Sequence, residues 1–163
     1  MPRSAKAKAF GPRKKYSLAR ASIGGNLTGG ANGALGNQAN VDIVAAAAAQ
    51  GKRKVKNFDI QLAVQQPVGE DTIVYYALVY QPVGVASPSN ITIGGEFYSP
   101  PSHVLAAGLY DCTEGTGFRI RTRLARNLNA GDKIVLCLRA TSSVVAPAAF
   151  VLRGIVSYVI AYN

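Results

Sequence analysis

The sequence predicts an all-β fold: two packed antiparallel sheets of Greek-key type, carried behind a basic, flexible N-terminal arm. Three observations predict it. The net charge of +10 is confined to the first third of the chain. The texture then changes at Lys52 to runs of β-branched and aromatic residues separated by Gly, Pro, Asn and Asp, the punctuation of short strands. The connections at residues 81–90 and 94–102 are longer than hairpin turns, so strands must cross between sheets rather than meander.

The charge division is sharp. Residues 1–56 contain Arg3, Lys6, Lys8, Arg13, Lys14, Lys15, Arg20, Lys52, Arg53, Lys54 and Lys56 against Asp42 alone, whereas seven basic and seven acidic residues follow from Asn57 onward. A basic segment beside a neutral body suits an arm that neutralises phosphates. A targeting peptide would need an apolar face or an apolar run after the charges, and neither is present. Residues 1–20 carry too few apolar side chains to offset their ordering entropy, so disorder is expected there. Residues 21–40, with Gly24, Gly25, Gly29, Gly30, Gly33 and Gly36 spaced by Asn, Ala and Ser, read as a flexible connector. The expected division is therefore an arm over residues 1–40 and a folded domain over residues 41–163.

Residues 41–50, with five consecutive alanines, fit a short helix or an extended strand equally well. The first clear strand places Phe58, Ile60, Leu62 and Val64 on one face, with Asp59 and Gln61 opposite. Gln66-Pro67 and Gly69-Glu70-Asp71 supply a turn. Residues 72–80 are apolar on both faces, as in a central strand covered on each side. A short strand is expected at 91–93 and a moderately apolar stretch at 104–110. Residues 118–124 form the clearest strand: Phe118, Ile120, Thr122 and Leu124 alternate with Arg119, Arg121 and Arg123, so period two gathers three arginines on one face. Asn127 to Asp132 is a turn cluster, 133–139 another strand, and 148–162 a strand, a bend at Gly154 and a closing strand. That makes seven or eight strands.

No catalytic constellation emerges. His103 is the only histidine, and Ser102 beside it points the other way on an extended chain. Glu70-Asp71 reads as a pair of solvated turn carboxylates, and the glycines of 29–36 match no dinucleotide or phosphate-loop pattern. Tyr75, Tyr76 and Tyr80 read as core or contact aromatics. Cys112 and Cys137 read as buried reduced thiols rather than a disulfide. No enzyme activity, metal or cofactor is expected. No segment approaches the roughly 20 apolar residues of a membrane-spanning helix, so no membrane partner is expected either.

The basic side chains need no exact geometry to act. Each Lys or Arg that approaches a phosphate releases counterions, which gives binding that is salt-sensitive and blind to base sequence. The candidate nucleic-acid-binding residues are the eleven basic positions before Asn57 together with Arg119, Arg121 and Arg123. Arg13-Lys14-Lys15 also matches a short nuclear-import signal.

The layout of a basic arm, a Gly/Ala/Asn-rich connector and a strand-rich body ending in an apolar strand resembles the single jelly-roll capsid proteins of small icosahedral viruses. It resembles especially the compact subunits of circular single-stranded DNA viruses and small satellite RNA viruses. The resemblance implies an eight-stranded jelly roll that assembles with 60 copies of itself, or a multiple, into a virion. Arms would face a packaged genome, single-stranded DNA in preference to RNA, with the host nucleus a place of assembly. The alternative is a cellular β-barrel module that binds DNA or RNA without forming a shell.

Overall fold

The protein is described from a computed structural model, over residues 15–48, 51–65, 69–86, 103–114 and 117–162. Nine strands follow in chain order: β1 (Ser17–Thr28), β2 (Ala39–Val44), β3 (Arg53–Gln65), β4 (Ile73–Gln81), β5 (Val104–Asp111), β6 (Gly117–Thr122), β7 (Arg126–Leu128), β8 (Lys133–Ala140) and β9 (Ala149–Tyr162). One sheet runs β1-β9-β3-β6, with the short β7 added beside the start of β3, and the other runs β2-β8-β4-β5. All these pairings are antiparallel. Except for the β4–β5 hairpin, each successive long strand crosses to the opposite sheet. That winding is the eight-stranded jelly roll, but the long connections at 81–90 and 94–102, expected to carry strands between sheets, instead fall between β4 and β5 of one sheet, and the crossings themselves are shorter. The predicted sandwich is borne out, and β7 is an addition to it.

The core sits where period two placed it. Phe58, Ile60, Leu62 and Val64 of β3 are buried against Leu27, Phe150, Leu152 and Val156 of the same sheet and Val74, Leu78, Ile134, Leu136 and Leu138 of the other. Each large apolar side chain so buried contributes about 1.5–3 kcal/mol. β4 is covered on both faces, as expected: Val74 and Leu78 face the core, while Ala77 and Val79 form a second fully buried cluster with Val135 and Cys137 of β8. Cys112 belongs to the main core and Cys137 to this outer cluster, and both thiols are free. Burial pushes the Cys112 thiol up to about 11, with the Asp111 charge adding to it, and the Cys137 thiol up to about 12.

Three expectations are corrected, and one that was left open is settled. The flexible connector over residues 21–40 is instead half strand, with 21–28 in β1 and 39–40 in β2. β1 pairs with β9 along its whole length, from Ser17 opposite Ile160 to Thr28 opposite Ala149. Its Leu27 is buried, and Ile23 and Ala19 pack on the core. Pairing and burial, both non-local, override the weak strand preference of Gly24-Gly25-Asn26. The glycines that follow serve close approach rather than looseness. The backbone N–H groups of Gly30 and Gly36 both donate to the Ala140 carbonyl, at 3.1 and 2.8 Å. A Cβ on Gly36 would lie 2.1 Å from the Thr28 carbonyl oxygen.

The alanine-rich segment resolves as strand up to Val44, the end of β2. The strand expected over 118–124 stops at Thr122, whose hydroxyl accepts the Leu124 N–H at 3.2 Å and leaves Leu124 exposed. No bend divides residues 148–162, because β9 runs unbroken through Gly154. There the missing side chain admits close neighbours on both sides. The strand expected at 91–93 and the loop at 94–102 lie outside the described residues.

Candidate nucleic-acid interface

Direct partners in an antiparallel ladder share a face, so the register fixes what the first sheet turns away from the core. One rung crosses the sheet as Arg20, Ser157, Asp59 and Arg121. The next reads Ser22, Ile155, Gln61 and Arg119, and the one beyond reads Gly24, Arg153, Ala63 and Gly117. In the opposite direction Leu18, Val159 and Lys56 align, and Lys54 pairs with Ala161 and with Asn127 of β7. This outer face therefore carries Arg20, Lys54, Lys56, Arg119, Arg121 and Arg153, and Asp59 is the one acid among its described residues. Strands about 4.8 Å apart keep neighbouring charges within the screening length of about 8 Å, so their potentials add.

Asp59 is held tightly. The Arg119 Nε donates to Asp59 Oδ1 at 2.6 Å while its Nη2 donates to the other carboxylate oxygen, a two-pronged pair. Arg121 Nε adds an ion pair to Oδ2 at 3.6 Å. Hydrogen bonding from Arg119 holds the Asp59 carboxyl below its ordinary value against the opposing effect of burial, with the charges of Arg119 and Arg121 adding to it, and the same bond raises Arg119. Beside this network the Lys56 ammonium sits 4.0 Å from the centre of the Tyr16 ring, a cation–π contact that ties the residue ahead of β1 to the same face.

The predicted site residues thus divide. Arg20, Lys54, Lys56, Arg119 and Arg121 come together on one sheet face, with Arg123 exposed just past the end of β6 and Lys15 exposed just ahead of β1. Lys52 is exposed at the start of the turn into β3. Arg53 faces the other way: its guanidinium donates to the carbonyls of Ala45 at 3.0 Å and Asp132 at 3.1 Å, which makes it a structural tie. Arg3, Lys6, Lys8, Arg13 and Lys14 lie outside the described residues. Two members of the face escaped the sequence reading as site residues. Arg153 alternates with buried Leu152 in β9 and could have been found by the same period-two count. Asp59 was placed on the outer face, but its pairing depends on the β3–β6 register.

Of the residues weighed for catalysis, Glu70 and His103 make packing and hydrogen-bond contacts within the fold, Asp71 is exposed as expected, and Ser102 lies outside the described residues. Glu70 is buried, not a solvated turn carboxylate: it accepts the Ser142 hydroxyl at 2.7 Å and the Ala148 N–H at 3.0 Å, and so clamps the loop ahead of β9. The His103 ring meets Tyr80 edge to face, with centres 5.2 Å apart. Tyr80 donates to Asp132, and Tyr76 stacks on Phe118, which stacks in turn on Tyr110, in keeping with the core and contact roles expected of these aromatics. No cluster of three or more His, Cys, Asp or Glu suited to a metal ion occurs among the described residues, and no helix there is long and apolar enough to cross a membrane.

Neither a family model nor a curated protein matches the sequence. Among solved structures, the chain is similar to a human norovirus GI.7 Houston strain virus-like particle with T=3 symmetry, at 12% identity and a TM-score of 0.50. That match covers 96% of this chain and 34% of the norovirus chain, so the protein spans about a third of that relative. A decameric BFDV capsid protein is matched at 9% identity and a TM-score of 0.48, over 91% of this chain and 99% of the other. Turnip yellow mosaic virus is matched at 12% identity and a TM-score of 0.45, over 90% and 94%. At 12% identity and a TM-score of 0.50 the norovirus likeness concerns architecture alone.

Proposed function

We propose that this chain is the shell subunit of a small icosahedral virus, which assembles with copies of itself and packages the genome through its basic arm and the outer face of the β1-β9-β3-β6 sheet. The observation that carries the reading is the placement of charge. A jelly roll that is neutral from Asn57 onward bears its whole excess on the segment ahead of and including β1 and on the start of β3, and part of that excess lies on one sheet face beside Arg119, Arg121 and Arg153. Lys15 and Tyr16 lead into β1, and Tyr16 meets Lys56 of the basic sheet face, which supports the arm and the face acting on the same nucleic-acid strand. With 60 copies the excess would total about 600 charges, the scale needed for a genome on the order of a thousand nucleotides at one charge per phosphate. Phosphate contacts position a strand without reading it, so binding is independent of base sequence. Single-stranded DNA is the preferred genome and the virion the location, with Arg13-Lys14-Lys15 carrying the subunit to the host nucleus.

Electron microscopy and sedimentation of the purified protein, with and without single-stranded nucleic acid, test this. Closed particles and binding that weakens steeply with salt are expected. A monomer at every salt and protein concentration would refute the shell, and a monomer that still binds nucleic acid would favour a cellular binding module. Matched DNA and RNA strands compared in the same titration decide the genome preference.

A further inference from the structure

The outer face is not uniformly basic, and the exception lies beside a defect in the sheet. Asn57 adopts a left-handed backbone, φ 56°, and the β3–β9 register jumps there from Lys56 opposite Val159 to Asp59 opposite Ser157. Such a bulge bends its strand and re-aims the side chains next to it. Close by, β6 ends at Thr122, directly opposite Phe58. Between the bulge and the end of β6 opens a cleft of about 540 Å³ lined by Asn57, Phe58, Asp59, Arg121, Thr122 and Arg123.

The polar groups of this cleft are unevenly committed. Arg119, outside it, takes both oxygens of Asp59 through two hydrogen bonds. Arg121 reaches the carboxylate only at 3.6 Å, an ion pair beyond hydrogen-bonding distance. Arg123 has no carboxylate partner among the described residues. Arg121 and Arg123 therefore line an open cleft whose one carboxylate, Asp59, accepts both its hydrogen bonds from Arg119. A carboxylate and a phosphodiester offer a guanidinium the same pair of acceptor oxygens.

We infer that this cleft is a seat for one backbone phosphate of a single-stranded nucleic acid, held between Arg121 and Arg123, and that Asp59 is a resident carboxylate which competes with the phosphate for Arg121. The inference rests on the nucleic-acid reading proposed above and adds a location and a brake to it. Asp59 holds Arg121 in place when no strand is bound, and its charge limits how tightly a strand is held.

Fluorescence anisotropy of a homothymidine oligonucleotide, titrated with the full chain over a range of salt concentrations, tests it. Removing the competitor in Asp59→Asn should tighten binding about tenfold at fixed salt and steepen the log K against log salt slope by about 0.7, the value of one more contact on a single strand. Gln61→Glu, which sets a carboxylate directly opposite Arg119 at an exposed position, should weaken binding by a similar factor. It keeps the test decisive if Asp59→Asn does not fold. Arg123→Gln should make the slope shallower by about 0.7. A wild-type chain that binds with a clear salt slope, alongside an Asp59→Asn variant that binds equally or more weakly, would overturn the competitor role. An unchanged slope in Arg123→Gln would overturn the seat. Absence of any salt-dependent binding by the wild type would instead overturn the nucleic-acid reading itself.

Discussion

Arg20 and Ser157 are direct partners across the ladder of β1 and β9, on the face that the first sheet turns away from the core. The last basic residue of the N-terminal cluster is thus the fourth residue of a strand. This sets where the arm can be cut. Deletion of residues 2–14 stops short of the strand and should leave the thermal unfolding midpoint unchanged within a degree or two, while the salt slope for nucleic-acid binding becomes shallower. Deletion of residues 2–20 removes the partners of Ile160, Val159, Tyr158 and Ser157 and uncovers that part of β9. It should cost about 1–3 kcal/mol in denaturant titration, because the lost ladder bonds contribute roughly 0.5–1.5 kcal/mol each and only part of that is replaced by water. Equal stability of the two truncations would contradict the pairing.

Arg53 and Arg153 carry the same charge, but their surroundings assign them opposite duties. Arg153 is exposed on the outer face opposite Ala63 and Gly24, so Arg153→Gln should weaken nucleic-acid binding uniformly across base sequences, make its salt slope shallower by about 0.7, and leave stability within about 0.5 kcal/mol. Arg53 bridges the carbonyls of Ala45 and Asp132. Arg53→Gln should destabilise by about 1–3 kcal/mol through its lost charge-assisted bonds and leave the salt slope intact. Anisotropy and urea titrations on the two variants separate the roles.

What could be read in advance was what repeats every second residue. Phe58 to Val64 gave the core face of β3, and Phe118 to Thr122 gave the arginine stripe of β6, because alternation is a local signal. β1 was hidden because its evidence is distant: Ser17 meets a partner 143 positions along the chain, and the glycines and asparagine between them read as a linker. The role of Glu70 was hidden for the same reason, since its partners Ser142 and Ala148 come from the far end of the sequence. The interface was half legible. The charges were countable, but which of them share a face, and that Asp59 sits among them, required the register.

Gly154 is a further case in which the neighbours decide. It lies opposite Ile23 of β1 and Leu62 of β3 in the middle of an unbroken strand. A Cβ there would come within 2.4 Å of the Gln61 carbonyl oxygen and 2.8 Å of Leu62 Cδ2. The backbone atom cannot retreat without parting β3 from β9, so Gly154→Ala should destabilise by about 1–3 kcal/mol, the cost of overpacking. Gly25→Ala in β1 meets nothing within 4 Å and should be neutral or stabilising by up to about 1 kcal/mol, through a less flexible unfolded chain. Thermal melts of the two variants side by side make the comparison.

The hydrogen-bonded pair of half-buried Tyr80 and buried Asp132 should set both the acid and the alkaline edge of stability. Asp132 accepts the Tyr80 hydroxyl and the Asn129 N–H at 2.8 Å each and the Val83 N–H at 2.9 Å. Burial acts to raise its carboxyl, but these bonds, led by Val83 and Asn129, overcome it and hold the group below its ordinary value. A carboxyl lowered on folding contributes stability that is present above its unfolded value, near 4, and lost as pH falls through the folded value. Tyr80 moves the other way, pushed up to about 12 by burial and by the Asp132 hydrogen bond. A phenol raised on folding contributes stability that is complete below about 10 and is lost as pH rises toward 12. Asp132→Asn exchanges one acceptor oxygen for an NH₂ facing backbone donors, so it should cost about 1–3 kcal/mol at neutral pH and narrow the stability difference between pH 6 and pH 3. Tyr80→Phe should cost about 1 kcal/mol at neutral pH and flatten the loss above pH 10 while keeping most of the acid edge, since the Val83 and Asn129 bonds remain. Urea titrations of the wild type and both variants at pH 3, 6 and 11 would show it, and an Asp132→Asn variant as acid-sensitive as the wild type would place the acid edge elsewhere.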